Sequence, residues 1–182
     1  MSTITLAQAK EVIGIGHSAR DTVLQIELDG LDDWIERECG IKLSSTSGLS
    51  HDCDGGGVLL IPPHRPITAV ADVQDLLDTT ETQYYELVGD YGIRKKDSAG
   101  NYLDDDRWSK GRHRWRVTYT AGYSSVPAGL KAIMLQLIYR AYHNPGAPQV
   151  SGGGPAFATW GKLADSDIMR QLQAYKRGRA IH

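Results

Sequence analysis

Residues 51–54, His-Asp-Cys-Asp, are all of metal-ligating type, and a bound cation is the first chemistry they bring to mind. Contiguous residues do not close around one tetrahedral ion, and no second cluster stands at the spacing that zinc sites use. The four therefore read as solvated loop. Asp104, Asp105 and Asp106 offer oxygen ligands in the same contiguous way and read as a solvated hairpin tip. The glycines at 55–57 and 152–154 lack the following Lys-Ser/Thr of a phosphate loop, and Gly14-Ile15-Gly16 lacks a third glycine and a preceding strand. There is no Gly-x-Ser-x-Gly element and no grouping of Ser, His and Asp. The residues thus predict a protein that is not an enzyme and carries no cofactor and no metal.

Arg107, Lys110, Arg112, Arg114 and Arg116 lie beside Trp108 and Trp115, a basic-plus-aromatic mixture able to track a phosphate backbone and stack bases. Alternation sets Trp115 on the face opposite Arg114 and Arg116, which makes the tryptophan core and the arginines an exposed or subunit-contacting face. Two N-terminal helices could imitate a helix-turn-helix, but the second is strongly acidic and would repel phosphate. A DNA-binding packaging or regulatory protein is the alternative reading. Net charge is −2, so no whole-molecule field draws in nucleic acid or an anionic membrane.

The elements that position these residues follow from hydrophobic spacing. Thr5 and Gln8 have capping-box spacing, and Leu6, Ala9 and Ile13 predict a first helix. Ser18 to Cys39 predicts a second, with Val23, Leu24, Leu28, Leu31, Trp34, Ile35 and Cys39 on the apolar stripe and Gly40 as its stop. Its outer face carries Glu27, Asp29, Asp32, Asp33, Glu36 and Glu38. Residues 44–57 read as a mobile polar loop. Short strands are expected at 58–61, 67–73, 84–88 and 91–94, with a polar loop over 97–106 and the clearest strand over 112–120. Gly122 marks a turn and Pro127 the first helical turn, and Leu130, Ile133, Met134, Leu137, Ile138 and Ala141 define a third helix. Tyr139 and Tyr142 flank its apolar stripe, as core or as interface. A Gly/Pro/Ala-rich arm follows over 144–164, then a short helix from Asp165 to Tyr175 and a basic tail. The class is α+β: a helical body at 1–43 and 124–143, a β-rich insert at 58–122, and an extended C-terminal arm at 144–182. Phe157 and Trp160 are large apolar groups on that arm, and either fold back or anchor to another chain. Two cysteines make no disulfide framework, which fits a reducing compartment, and neither a signal peptide nor a membrane span is expected.

Four segments in this order, ITLAQAKEVIGI, DDWIERECG, LLIPPHRPITAVADV and VTYTAGYSSVPAGLKAIMLQLIYRAYHN, resemble the head–tail connector, or adaptor, proteins of long-tailed bacteriophages and related prophages. The likeness spans most of residues 3–143. It implies a structural virion protein in the neck, assembled in the host cytoplasm. Such proteins form a homo-oligomeric ring, typically of twelve copies, between the portal protein and a stopper or tail-completion protein. Genomic DNA passes through the channel without specific binding. By position, the portal-binding arm would use Phe157, Trp160, Met169, Arg170, Tyr175, Lys176, Arg177 and Arg179. Arg112, Arg114 and Arg116, with Asp32, Asp33 and Glu36, are candidates for subunit contacts or the channel wall. A protein contact is favoured over DNA for the arginines, since a channel for moving DNA should not grip it.

Overall fold

A computed structural model describes residues 2–79, 83–102, 107–143 and 163–176. The class is α+β, with helices and two three-stranded antiparallel sheets. Two compact units divide the chain: Met1–Leu43 with Ser125–His182, and Ser44–Ser124.

The first unit is helical. Helix α1 (Leu6–Ile13) opens on a reciprocal cap, in which the Thr5 hydroxyl accepts the Gln8 N–H at 3.2 Å and the Gln8 side chain accepts the Thr5 N–H at 3.0 Å. Helix α2 (Asp21–Cys39) starts three residues later than its hydrophobic period predicts, where Asp21 meets Lys10 at 2.8 Å. Leu24, Leu28, Leu31, Trp34, Ile35 and Cys39 form its buried stripe. Val23, expected on that stripe, lies outside it and is 48% exposed. Helix α3 (Ala128–His143) follows Pro127, whose carbonyl accepts the Lys131 N–H at 3.1 Å. It buries Leu130, Ile133, Met134, Leu137 and Ile138, and packs against α1. Tyr139 and Tyr142 are 50% and 39% exposed, so neither is core.

Helix α4 (Ser166–Leu172) is capped by Asp165, whose carboxylate accepts the Ile168 N–H at 3.0 Å. Ile168 and Leu172 are fully buried and the helix packs on α3. Arg140 holds Asp165 at 2.7 Å, and Lys176 pairs with Glu38. Residues 163–176 of the expected arm therefore belong to the helical core. Leu163, Ala164, Ile168 and Leu172 are all buried in it.

The second unit is β. Strands β1 (Thr46–Cys53), β6 (Trp115–Ala121) and β3 (Ile67–Asp75) form one sheet in that order. Strands β2 (Leu59–Leu60), β5 (Gly92–Lys96) and β4 (Tyr84–Val88) form the other. The first strand corrects the expectation of a loop over 44–57: residues 46–53 pair antiparallel with β6, setting Cys53 opposite Trp115 and His51 opposite Val117. As the central strand, β6 presents backbone N–H and C=O groups along both edges, and a mostly polar edge strand satisfies one row of them without an alternating pattern. Trp115, Val117, Tyr119 and Ala121 face a core shared with Ile67, Val73, Leu60, Ile93 and Trp108, which joins the two sheets.

The turn at Gly122 depends on its missing side chain. Its φ is 116°, and a Cβ there would stand 2.1 Å from the Ser44 carbonyl oxygen. The Gly122 N–H also donates to the Pro66 carbonyl at 2.8 Å. Gly122→Ala is expected to destabilise the β unit by about 2 kcal/mol through strain and overpacking, read as a lowered urea midpoint with an unchanged m-value.

Candidate interaction surfaces

Strand β6 is extended at its N-terminal end by a loop, residues 107–113, that holds most of the expected cationic patch. The predicted strand began at Arg112; the observed one begins at Trp115. His113 interrupts it by adopting a left-handed φ of 48°, held by its N–H donating to Asp54 at 2.7 Å. The loop is pinned along its length. Gly55 N–H donates to the Gly111 carbonyl at 2.8 Å, Gly56 N–H to the Trp108 carbonyl at 2.7 Å, and Trp108 N–H to the Gly57 carbonyl at 2.9 Å. The Trp108 indole is fully buried, stands edge-on to Trp115 at 4.8 Å between centroids, and donates to the Ile93 carbonyl at 3.1 Å. Gly55 lets the strands of this frame touch, since a Cβ on it would lie 2.0 Å from the Ser109 carbonyl oxygen. Arg107, Lys110 and Arg112 are exposed on this frame, so pinned backbone presents positive charge to solvent.

The arginines that follow are engaged within their own sheet. Arg114 grips Asp75, its Nε at 2.9 Å from both carboxylate oxygens and its Nη2 at 2.6 Å from Oδ2. Asp75 is 4% exposed. Hydrogen bonds from Arg114 hold its carboxyl below the usual range, outweighing burial, which pushes the other way. Arg116 makes a similar two-point contact with Asp52 at 2.8 and 2.9 Å on the sheet's outer face, and lowers that carboxyl too. Asp75 went unrecognised in the sequence. The available signal was its position two residues after Val73, which puts it on the same inward face and demands a charged partner.

On α2 the expected acidic face divides. Asp32 accepts the Thr3 N–H at 2.6 Å, and burial raises its carboxyl while that bond opposes the shift. Glu36 holds Lys42 at 2.6 Å and the Leu43 N–H at 2.9 Å. Asp33 is exposed and makes no ion pair among the described residues. Of the expected arm residues, Met169 is half-buried and exposed Arg170 pairs with Asp167. The Tyr175 hydroxyl sits where a Cβ on Gly129 would meet it at 2.5 Å, and Lys176 pairs with Glu38. Phe157, Trp160, Arg177 and Arg179 lie outside the described residues.

An open groove is lined by Ser50, His51, Asp52, His113 and Arg116, but its carboxylate is already neutralised by its guanidinium. Among the described residues no three His, Cys, Asp or Glu side chains converge as metal ligands, and Cys53 is buried while His51 is exposed. Both cysteines are free and buried, and burial pushes the Cys39 thiol up to about 11, so it stays protonated and unreactive near neutrality. No helix among the described residues is long and apolar enough to cross a membrane. What the surface offers is fixed charge of both signs.

No family model matches this chain, and no curated protein does. Among solved structures, the chain is similar to one in the neck of an empty gene transfer agent particle computed with C6 symmetry. The TM-score is 0.63 at 17% identity, covering 98% of this chain and 92% of that chain. It is similar as well to a chain in the virion of a native gene transfer agent particle, with a TM-score of 0.59 at 17% identity and coverage of 98% and 92%. At that identity the likeness is one of fold, carried across nearly the whole length of both chains.

Proposed function

We propose that the chain is a structural virion protein of a phage-like neck, forming a homo-oligomeric ring between the portal and the stopper or tail. The observation that carries this reading is the fold likeness to a neck chain over 98% of the sequence. In this role the ring extends the DNA channel during head completion and tail attachment, with genomic DNA passing through unbound. A six-fold neck accommodates six or twelve copies, and twelve is the number implied by the connector family that the sequence resembles. The chain assembles in the host cytoplasm and ends in the virion. Its described surface supports contact rather than catalysis: pinned backbone, satisfied ion pairs and exposed charge. The DNA-binding alternative is weakened by Arg114 and Arg116, whose charges are met by Asp75 and Asp52.

Deleting the chain from a particle-producing genome is expected to leave DNA-filled heads and separate tails that fail to join, seen by negative-stain electron microscopy. Tailed particles in normal number would overturn the proposal. A salt-sensitive shift of duplex DNA at sub-micromolar protein would favour the DNA-binding alternative instead. Portal contact is assigned to the segment over 144–182. Truncation after Asn144 is a poor test of it, because Ile168 and Leu172 would leave the helical core. Arg170→Glu, on the exposed side of α4, reverses a charge without touching that core.

A further inference from the structure

Closing a ring from identical subunits requires two different patches on each copy that complement one another. Sorting the charged residues by their partners isolates such a pair. Around the 107–116 segment, Arg114 and Arg116 are paired with Asp75 and Asp52. Lys110 and Arg112 are exposed on the pinned loop and make no ion pair among the described residues. Along α2, Asp21 pairs with Lys10, Glu36 with Lys42 and Glu38 with Lys176, and Asp32 accepts the Thr3 N–H. Of the carboxylates that remain, Glu27 is half-buried and feels Arg20, whereas Asp29 and Asp33 are both exposed and one turn apart on one face, and among the described residues Asp29 accepts only the neutral Gln25 amide at 3.0 Å. Ile26, one turn before Asp29 on that face, is 64% exposed, and Val23 before it is 48% exposed.

We infer that Lys110 and Arg112 of one copy dock on the α2 face of the next copy, with Asp29 and Asp33 as their counter-charges and Ile26 covered at the contact. The inference rests on the ring reading. Of the residues a charge count singles out it keeps Arg112 and Asp33 and adds Lys110 and Asp29, because the structure has already used Arg114, Arg116, Asp32 and Glu36 internally. The pinned loop is pre-organised, so little ordering entropy opposes docking. Opposite charges also set the register in which one subunit meets the next.

The test replaces the wild-type chain in particle-producing cells by variants and counts copies per neck in purified particles. Lys110→Glu with Arg112→Glu is expected to lower neck occupancy by about tenfold, and Asp29→Lys with Asp33→Lys to do the same. Combining all four restores it to near the wild-type level, while each variant alone keeps the wild-type circular dichroism melt. Undiminished occupancy in either charge-reversal variant overturns the contact, as does a combined variant that fails to recover while still folding. Wild-type particles holding a single copy, or none, overturn the ring reading and this contact with it. A wild-type ring with indifferent variants overturns the contact alone.

Discussion

Trp108→Ala is expected to destabilise the β unit by about 4 kcal/mol, in the range for emptying a fully buried tryptophan site. The measurement is the guanidinium midpoint followed by near-ultraviolet circular dichroism, to which a close pair of tryptophans contributes directly. Three losses combine in one substitution. The ring is 0% exposed and stands in edge contact with Trp115, so its removal opens a cavity at the junction of the two sheets. The Ile93 carbonyl on β5 loses the indole N–H that satisfies it, at a cost of about 1 kcal/mol or more for a buried acceptor. The loop that presents Lys110 and Arg112 then keeps its backbone bonds to residues 56 and 57 but loses its anchor. Trp108→Phe separates these effects, because it fills much of the space without the N–H, and is expected to cost about half as much. A loss below 1 kcal/mol in the alanine variant would show that the sheets collapse onto the site and that the indole is not what joins them.

The helices were legible because each satisfies a local rule and a tertiary one together. Thr5 and Gln8 cap α1 as their spacing predicts, and the stripe of α2 is buried from Leu24 to Cys39. Strand β6 was equally plain, since one strand with a buried and an exposed face alternates strictly. Strand β1 was hidden for the converse reason. It lies at a sheet edge with a burial pattern that does not alternate, a bulge between Thr46 and Leu49, and a composition of Ser, His and Asp. Its pairing is imposed by β6, and a partner's demand leaves no periodic trace in the strand that meets it.

The charged surface was legible as composition and illegible as pairing. Arg112, Arg114 and Arg116 look alike at a two-residue spacing, yet Arg112 is exposed on a loop, Arg114 is clamped to a buried carboxylate, and Arg116 is paired on the outer face. What distinguishes them is register: Asp52 stands opposite Arg116, and Asp75 stands opposite Trp115, next to Arg114. The same holds on α2, where Asp32 and Asp33 are neighbours in sequence but only Asp32 turns back to meet the Thr3 backbone. Long-range pairing decides which charges are available to a partner, and one chain's sequence does not state it.

The second large effect belongs to that clamped pair. Arg114→Ala is expected to lower stability by about 3 kcal/mol at pH 7, because it strands the Asp75 carboxylate without its counter-ion. The side chain of Asp75 is 5% exposed and that of Arg114 20%, so solvent compensates little of the loss. Pairing Arg114→Met with Asp75→Leu removes both charges together and is expected to recover most of it, ending within about 1.5 kcal/mol of the wild type. The pH dependence distinguishes the pair from a packing effect. Arg114 depresses the folded carboxyl, so its stabilisation is complete above the unfolded value of about 4 and is lost as pH falls through the folded value. In that acid window the unfolded chain binds more protons than the folded one, and stability rises with pH. The double variant should show a shallower acid slope in urea midpoints measured from pH 5 downwards. Some slope persists, because Asp52 is depressed by Arg116, and Asp165 by the Ile168 N–H and then by Arg140. An Arg114→Ala variant with a full acid slope and a loss below 1 kcal/mol would mean that Asp75 finds water in place of the guanidinium, and that strands β3 and β6 are held at this end by packing alone.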